Sequence, residues 1–342
     1  MKSKPERQAT PTISQVAAAA GVDRSTVSRA FTRPAMLSSE TVERVRAAAE
    51  RLGYVPNHTA RALSTGYYRN VALIVPDVAN PFFPPLISAV QRETDRLDFC
   101  LFLGNTDEDP RQEDKLVDRF AGQVAGVILA SSRLNEAQIR AHTAKRPLVL
   151  VNRDVSGIPR VLIDSGSGVE EAVAHLAELG HRTIVYISGP ASSWSNRQRR
   201  NAVRRAAEKL GLRHFTVPSP IASYQAGRAV APQVLRTGAT AAIAFDDVTA
   251  HGLLAGLADN GVVVPRDFSV IGCDDVLGAV TQPALTTVSN WSVEAGRAAV
   301  SLLFDMLQSS AISDVRYVLE THLVVRDTTR PAVTAPTGRG KR

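Results

Sequence analysis

Two patterns of apolar and polar positions divide the chain. Up to about residue 52, apolar side chains recur at intervals of three and four, which predicts short amphipathic helices. From Asn70 onward, short apolar runs alternate with helix-compatible stretches, a pattern typical of parallel α/β structure. The sequence therefore predicts a small helical module followed by a larger α/β body.

The first two predicted helices carry local start and stop signals. Thr12 and Gln15 form a capping-box pattern, and Gly21 can adopt the left-handed conformation that ends a helix. Asp23 can cap a second helix that begins at Arg24. Two short helices around a glycine turn are expected.

The spacing of three residues indicates how these helices pack. Ala17, Gly21 and Val27 place a small residue, a turn glycine and an apolar anchor where a helix-turn-helix needs them, and the second helix of that motif enters the DNA major groove. An ordinary helical hairpin with a solvated basic face has the same spacing and stays open. A third helix, capped by Ser38 and Ser39, would close the module's core with one apolar stripe: Val42, Val45, Ala49 and Leu52.

A marginal segment follows the module. Residues 54–57 break the third helix, and residues 57–64 are compatible with a helix of only two turns. Isolated helices this short are marginal in water, so the segment needs a partner to fold.

Three runs of this region resemble one known family: TISQVAAAAGVDRSTVSRAF at 12–31, SSETVERVRAAAERLGYVPN at 38–57 and ARALSTG at 60–66. They are similar to the DNA-binding headpiece and hinge of the LacI/GalR family of bacterial transcriptional regulators. The similarity is nearly continuous over residues 12–66, and the order of later motifs extends it to about residue 327.

The resemblance implies DNA contacts for particular side chains. Arg24 and Ser25 match the recognition positions that choose the operator, where an arginine would read a guanine edge. Leu63 matches the hinge leucine that enters the minor groove and kinks the duplex. The other matched positions are Thr12, Thr26, Ser28, Arg29, Ser38, Asn57, Ala60 and Arg61.

The body is predicted to be a doubly wound parallel fold. Its predicted strands are 71–77, 99–105, 126–130, 147–152, 183–189, 241–247 and 269–275, with a further strand ending at Asp164; its predicted helices are 86–97, 110–121, 166–179, 198–210, 225–236 and 248–260. Ligand-binding groups are expected at the carboxyl ends of the strands.

The family resemblance implies a periplasmic-binding-protein-like effector domain of two lobes. The expected organisation is a helix-turn-helix headpiece at 1–56, a hinge helix and linker at 57–69, an N-lobe at 70–164 and 291–319, a C-lobe at 165–290 and 320–329, and a flexible basic tail at 330–342.

A cleft between these lobes is the expected effector site. Phe82 and Phe83 would form apolar walls, and Arg199 falls on the family's effector-binding arginine. The other expected effector-binding residues are Asn152, Arg153, Trp194, Asp246 and Asp274. Taken singly, an aspartate at a strand end is more often a helix cap than a ligand contact.

Two departures from the family bear on the ligand. This chain has Asp246-Asp247 where many relatives carry Asn-Asp, and the small Ala222 where several relatives place an aromatic wall. Carboxylates accept hydrogen bonds from hydroxyls and aromatic rings pack on sugar C–H faces, so a sugar or sugar derivative is expected.

Charge separates the two parts of the chain. The net charge of +7 is uneven, because residues 1–70 carry 11 Lys and Arg against 5 Asp and Glu, while residues 71–329 carry 25 against 28. A basic module on a slightly acidic body suggests a polyanion partner, most often nucleic acid.

Other classes of protein find little support in the sequence. Cys100 and Cys273 have no metal-ligand spacing and are expected to be small buried residues in a reducing cytoplasm. No run approaches a membrane span, and the N-terminal residues lack an apolar signal segment. No glycine fingerprint for a nucleotide and no nucleophile–base pair appears, so neither a cofactor, a metal nor an enzymatic activity is expected. A solute-binding protein or a nucleotide-dependent α/β enzyme without DNA function is the alternative.

The order of headpiece, hinge and sensor predicts an allosteric regulator, with repression as the expected outcome. A homodimer would place two headpieces on a pseudo-palindromic operator, and an effector in the cleft would change operator affinity. The tail lacks leucine heptads, so no tetramer-forming coiled coil is expected. Whether the effector weakens or strengthens DNA binding stays open.

Overall fold

The computed structural model describes residues 11–55, 68–276, 278–309 and 314–332. The chain divides into two compact units, Met1–Tyr68 and Arg69–Arg342. The four predicted DNA contacts of the hinge lie outside the described residues: Asn57, Ala60, Arg61 and Leu63. Within the described ranges, no helix is long and apolar enough to cross a bilayer.

The first unit contains three α-helices: α1 (Ile13–Ala20), α2 (Arg24–Thr32) and α3 (Ser39–Leu52). The predicted capping box at Thr12 is confirmed, since its side chain accepts from the Gln15 N–H and the Gln15 side chain accepts from the Thr12 N–H. Gly21 ends α1 with φ of 64°, the left-handed conformation that only glycine adopts without strain. The local signals therefore determine where α1 begins and ends.

One apolar cluster holds these helices together. Val16, Val27 and Val45 are completely buried in it, one from each helix. The predicted stripe on α3 is wrong at Leu52, which is 38 % exposed. Leu52 is the last residue of α3, and the chain turns away at Gly53 with φ of 65°.

The second unit alternates strands and helices. Its strands are β1 (Asn70–Val75), β2 (Cys100–Asn105), β3 (Gly126–Ala130), β4 (Leu148–Val151), β5 (Arg160–Asp164), β6 (Thr183–Ser188), β7 (Arg213–Pro218), β8 (Ala241–Ala244), β9 (Ser269–Cys273), β10 (Thr286–Val288), β11 (Arg316–Glu320) and β12 (Leu323–Val324). Its helices are α4 (Phe83–Arg96), α5 (Pro110–Ala121), α6 (Glu136–Thr143), α7 (Ser165–Glu178), α8 (Trp194–Leu210), α9 (Tyr224–Ala229), α10 (Ala231–Arg236), α11 (Asp247–Asp259) and α12 (Ser292–Gln308).

Two sheets define two lobes, which we call lobe 1 and lobe 2. The lobe 1 sheet has the strand order β11-β5-β4-β3-β1-β2, and all its strand pairs are parallel. The lobe 2 sheet has the order β12-β10-β9-β8-β6-β7, and β12 pairs antiparallel with β10. The doubly wound parallel fold is confirmed, with this one antiparallel edge strand. The residue limits predicted for the lobes stay a prediction.

The chain passes three times between the lobes. The first passage joins β5 to α7 at Asp164 and Ser165, the second joins β10 to α12, and the third joins β11 to β12. The three connections lie side by side, since the Thr321 hydroxyl donates to the Asp164 carbonyl and the Ser289 N–H donates to the His322 carbonyl.

Several elements of the body were not predicted. The strands β7, β10, β11 and β12 and the helices α6 and α12 were absent from the predicted elements, and the helix expected at 225–236 is two helices, the second with Pro232 in its first turn. Edge strands such as β7 and β11 are largely exposed, so they lack the continuous apolar run that marks an interior strand in the sequence.

The prediction that both cysteines are buried is wrong for one of them. Cys273 is completely buried, but Cys100 is exposed. Cys100 opens β2, the outermost strand of the lobe 1 sheet. The apolar run around it therefore marked an edge strand and not an interior one.

Candidate functional site

Helix α2 presents a polar face away from the headpiece core. Arg24, Ser25 and Arg29 are exposed, whereas Val27 and Ala30 on the opposite face are buried. Thr26 and Ser28, the two other predicted DNA contacts on this helix, are half-buried. The helix therefore offers arginine and hydroxyl groups to a groove while its apolar face anchors it.

Asp23 orders the start of α2. Its Oδ1 accepts from the Ser25 hydroxyl at 2.7 Å and from the Thr26 N–H at 2.7 Å. These hydrogen bonds, first the one from Ser25, lower the pKa of Asp23 to about 2. The Ser25 hydroxyl is therefore oriented before any ligand arrives, a role for Asp23 that the family motif did not suggest.

The remaining predicted headpiece contacts lie at helix N-termini. Thr12 caps α1, and Ser38 caps α3 by accepting from the Thr41 N–H at 3.3 Å. A helix N-terminus concentrates unpaired N–H groups and positive potential, which suits a phosphate. Both positions are thus chemically suited to the DNA backbone.

The second unit has a cleft between its lobes. Six of the eight predicted effector residues line it together: Phe82, Phe83, Asn152, Arg199, Asp246 and Asp274. The free space in this arrangement of the lobes is about 40 Å³, less than the roughly 300 Å³ of a usual small-ligand pocket, so a ligand needs the lobes to move apart.

A buried ion pair forms the lobe 2 wall of the cleft. Arg199 Nη2 donates to Asp274 Oδ1 at 2.7 Å, and Nη1 donates to the carbonyl of Phe245. The guanidinium also lies 5.1 Å from the centre of the Phe245 ring. Arg199 Nε is buried and has no hydrogen-bond partner among the described residues.

The electrostatics of this pair follow from its burial. Burial raises the pKa of Asp274 from 3.8 to about 6, although the facing Arg199 works in the opposite direction. Burial also opposes the charge on Arg199, but the Asp274 carboxylate together with the nearby Cys273 and Tyr186 outweighs it and raises the pKa of Arg199. The guanidinium is therefore charged at every physiological pH.

Asp246 has two functions at once. Its Oδ1 caps α11 by accepting from the Thr249 N–H at 2.8 Å, and its Oδ2 accepts from Asn80 Nδ2 at 3.0 Å. Asn80 belongs to the β1–α4 loop of lobe 1, so this hydrogen bond crosses the cleft. The cap interpretation and the ligand-site interpretation of this aspartate are therefore compatible.

The neighbouring Asp247 faces inward. Its two carboxylate oxygens accept from the Thr287 hydroxyl at 2.6 Å and from the Val276 N–H at 3.0 Å. Burial raises the pKa of Asp247 well above its usual range. The second acid of the Asp-Asp pair therefore supports the strand ends and does not line the cleft.

Lobe 1 adds an ion pair that the sequence analysis missed. Arg133 Nη2 donates to Glu108 Oε1 at 2.8 Å, and both residues line the cleft with Ser131. The Arg133 N–H donates to the buried Glu113 at 2.8 Å, and burial raises the pKa of Glu113. These residues follow β2 and β3, so the rule of strand carboxyl ends applied to every strand would have found them.

Ser193, Ser195 and Phe245 were missed as well, and all three line the cleft. Ser193 caps α8 by accepting from the Asn196 N–H. A serine directly before a helical pattern is a sequence signal for a helix N-terminus, and Ser193 directly precedes Trp194. The predicted helix began too late, at residue 198, to include it.

Two predicted effector residues do not line the cleft. Arg153 Nη2 donates to the carbonyl of Leu134 at 2.9 Å, within lobe 1. Trp194 lines a separate crevice with Leu162 and Arg205. For Trp194 the physical reason is the helical period. Ser195 and Arg199, one turn apart, share a face of α8 that Trp194 does not occupy.

No group of three or more metal-ligating side chains is placed to hold a metal ion in the part of the chain that the structure describes. The chemistry of the cleft is therefore that of hydrogen-bond donors and acceptors, two ion pairs and aromatic walls.

A helix-turn-helix unit with an exposed polar helix, joined to a two-lobed unit with a cleft, defines a class of DNA-binding regulators with a ligand-sensing domain. Residues 12–57 match the family of bacterial regulatory proteins of the lacI family, and residues 173–329 match the periplasmic binding protein-like domain. The repressor CytR of Escherichia coli K12 is 31% identical over 341 residues, which cover 96% of this chain and 99% of that protein.

Solved structures agree with these matches. The Lac repressor dimer bound to operator and the anti-inducer ONPF superposes with a TM-score of 0.84 at 26% identity, covering 94% of this chain and 99% of that one. The complex of the regulator CelR with cellobiose gives a TM-score of 0.69 at 30% identity, with 93% and 99% covered. The chain belongs to the LacI family and is a DNA-binding transcriptional regulator.

Proposed function

We propose that this regulator is a repressor that binds a pseudo-palindromic operator as a homodimer. Its affinity for the operator changes when a neutral sugar-like molecule occupies the cleft. The exposed face of α2 supplies the base contacts, with Arg24 and Ser25 as the specificity residues. Thr12, Ser38 and Arg29 would contact phosphates. The relatives named above are a repressor, a repressor dimer on its operator and a regulator with a bound sugar.

The observation that carries the ligand proposal is the unpartnered Nε of Arg199. An N–H that is buried without an acceptor costs about 1–3 kcal/mol, and a ligand hydroxyl that accepts from it recovers part of that cost. Asp246 and Asp274 can accept from other hydroxyls, and the rings of Phe82 and Phe83 can pack on C–H groups. This combination suits a polyhydroxyl compound.

The charge of the lining argues for a neutral ligand. The cleft is lined by three carboxylates, Glu108, Asp246 and Asp274, against two guanidinium groups, Arg133 and Arg199, a formal excess of one negative charge. Both guanidinium groups are already paired with carboxylates. A sugar phosphate would therefore meet repulsion that a neutral sugar does not.

The cleft lies between the two lobes, which three connections join. A bound ligand therefore favours the arrangement of the lobes in which its contacts are stronger. Coupling of about 1–3 kcal/mol between effector and operator is the usual range for such regulators. The protein acts in the cytoplasm and catalyses no reaction under this proposal. The alternative functions, a solute-binding protein or a nucleotide-dependent enzyme, leave the polar face of α2 without a role.

Operator selection from random duplexes, followed by a screen of neutral sugars, sugar phosphates, nucleobases and amino acids, tests the proposal. The selected duplex should be two-fold symmetric, and its affinity should change in the presence of a neutral sugar that also gives a calorimetric isotherm. Binding of only a purine or an amino acid would overturn the sugar assignment. Failure to select any duplex would overturn the proposal that the protein binds a two-fold symmetric operator.

A further inference from the structure

A second recess lies at the junction of the lobes, and we call it the junction crevice. Its lobe 1 side is formed by β5 and β11 through Leu162, Arg316 and Val318, and its lobe 2 side by α7 and α8 through Glu170 and Trp194. Its free space is about 280 Å³, close to the lower end of the roughly 300–1,000 Å³ that is usual for small-ligand sites.

The junction crevice is distinct from the cleft, but the two share a wall. Helix α8 contributes Ser195 and Arg199 to the cleft and Trp194, Gln198 and Arg205 to the crevice. At 100° per residue these sets occupy neighbouring faces of one helix. Any movement of α8 relative to the lobe 1 sheet therefore changes both recesses together.

The charged groups of the crevice balance one another. Arg205 Nη2 donates to Glu170 Oε1 at 2.6 Å, and Arg316 Nε donates to Asp154 Oδ2 at 3.2 Å. Asp164 accepts from the Gly166 N–H at 3.0 Å as the cap of α7. The lining carries two acids, Asp164 and Glu170, and two bases, Arg205 and Arg316, so it attracts neither a cation nor an anion strongly.

Uncommitted hydrogen-bonding groups and an indole complete the lining. The half-buried amide of Gln198 and the indole N–H of Trp194 make no hydrogen bond to a described residue. Trp194 is only 7 % exposed, so its position is set by packing before any ligand arrives. With little of the indole face open, the indole N–H and the Gln198 amide are the groups that can hydrogen-bond to the hydroxyls of a ligand.

We propose that the junction crevice is a second small-molecule site, which takes a neutral polyhydroxyl compound against Trp194. Gln198 and Arg316 donate to its hydroxyls, and the free oxygens of Asp164 and Glu170 accept from them. Because residues of both lobes hold the compound, it stabilises one relative placement of the lobes. By linkage, a ligand here changes the affinity of the cleft for its own ligand, and coupling between sites commonly amounts to about 5- to 150-fold.

The test follows the two tryptophans of the full-length protein separately. The chain contains two, Trp194 and Trp291, so protein labelled with 5-fluorotryptophan gives two fluorine resonances, which Trp291→Phe assigns. The probes are D-glucose and cellobiose as neutral polyols, D-glucose 6-phosphate as an anion and L-phenylalanine as an aromatic zwitterion. A saturable shift of the Trp194 resonance with a neutral sugar, and none with the other two, is expected.

Two variants distinguish the crevice from the cleft. Gln198→Ala with Arg316→Ala removes two polar side chains that are not buried, and binding in the crevice should weaken about tenfold. Phe82→Ala removes an apolar wall of the cleft without touching the crevice and should leave the Trp194 shift intact. An unchanged shift in the double variant, a shift abolished by Phe82→Ala, a response to phenylalanine or glucose phosphate alone, or no saturable response would each overturn the second site.

Discussion

Asn80 Nδ2 donates to Asp246 Oδ2 at 3.0 Å across the cleft, and this hydrogen bond joins the β1–α4 loop of lobe 1 to the N-terminus of α11 in lobe 2. The two residues are 166 positions apart in the chain.

Asn80→Ala should loosen the closed arrangement of the lobes. A hydrogen bond to a charged group contributes about 1.5–3 kcal/mol, and its loss favours lobe separation, so we expect a larger radius of gyration by small-angle scattering. Asn70→Ala is the matched control, because Asn70 Nδ2 donates to the Gln123 carbonyl at 3.0 Å within lobe 1. Equal radii for the two variants would show that the interlobe bond has no influence on closure.

The ionisation of Asp274 makes a distinct contribution to stability. Burial raises its pKa from 3.8 to about 6, so between these values the folded protein holds a proton that the unfolded chain has lost. This contribution is fully present below pH 3.8 and is lost as the pH rises through about 6, by up to about 3 kcal/mol.

Asp274→Asn removes that titration. The free energy of unfolding of the wild type minus that of the variant should therefore fall as the pH rises from about 4 to about 6, measured by urea denaturation at each pH. A carbon-13 titration of the Asp274 carboxyl reports the same pKa directly. A midpoint below 4 would contradict the effect of burial described here.

Arg24 should carry part of the operator specificity. An arginine on a guanine edge contributes about 1–3 kcal/mol of discrimination, so Arg24→Ala should weaken the selected operator and relax the preference at one base pair in each half-site. Arg44→Ala is the control of equal charge change, because Arg44 lies on α3 and pairs with Glu40 at 3.7 Å. Anisotropy titrations on single-base operator variants, all at one salt concentration, measure the affinity for each variant. Arg24→Ala should lower the discrimination at one base pair, whereas Arg44→Ala should at most lower all affinities by the same factor.

Two glycines allow α9 and α11 to pack backbone against backbone. A Cβ on Gly252 would stand 2.1 Å from the Tyr224 carbonyl oxygen, and one on Gly227 would stand 2.2 Å from the Thr249 carbonyl oxygen. Gly252→Ala should therefore destabilise the protein by about 1–3 kcal/mol, and it should weaken effector binding because the cleft residue Asp246 caps α11.

Gly122→Ala is the control for that substitution. Gly122 has φ of −82°, and an added Cβ meets no atom within 4 Å among the described residues. Chemical denaturation should show no loss for this variant. Equal stability of the two alanine variants would mean that the α9–α11 crossing can relax at no cost.

Local chemistry explains the parts of the protein that could be predicted. The capping box at Thr12, the turn at Gly21 and the cap at Asp23 each involve residues within four positions of one another, so their outcome depends little on the rest of the chain. The interior strands were also predictable, since a strand that is buried on both faces is apolar throughout. The rule that ligand groups follow strand ends, together with the family resemblance, then located six cleft residues.

Only the tertiary structure decided the rest, because those features join distant positions. The partner of Arg199 lies 75 residues away at Asp274, and neither residue type nor spacing identifies it. The exposure of Cys100 depends on β2 being an edge strand, and the separation of Trp194 from the cleft depends on which face of α8 meets lobe 1. Sequence alone determined the interior strands and the local ends of the first helices; the pairing of side chains across the lobes depends on packing between elements far apart in the chain.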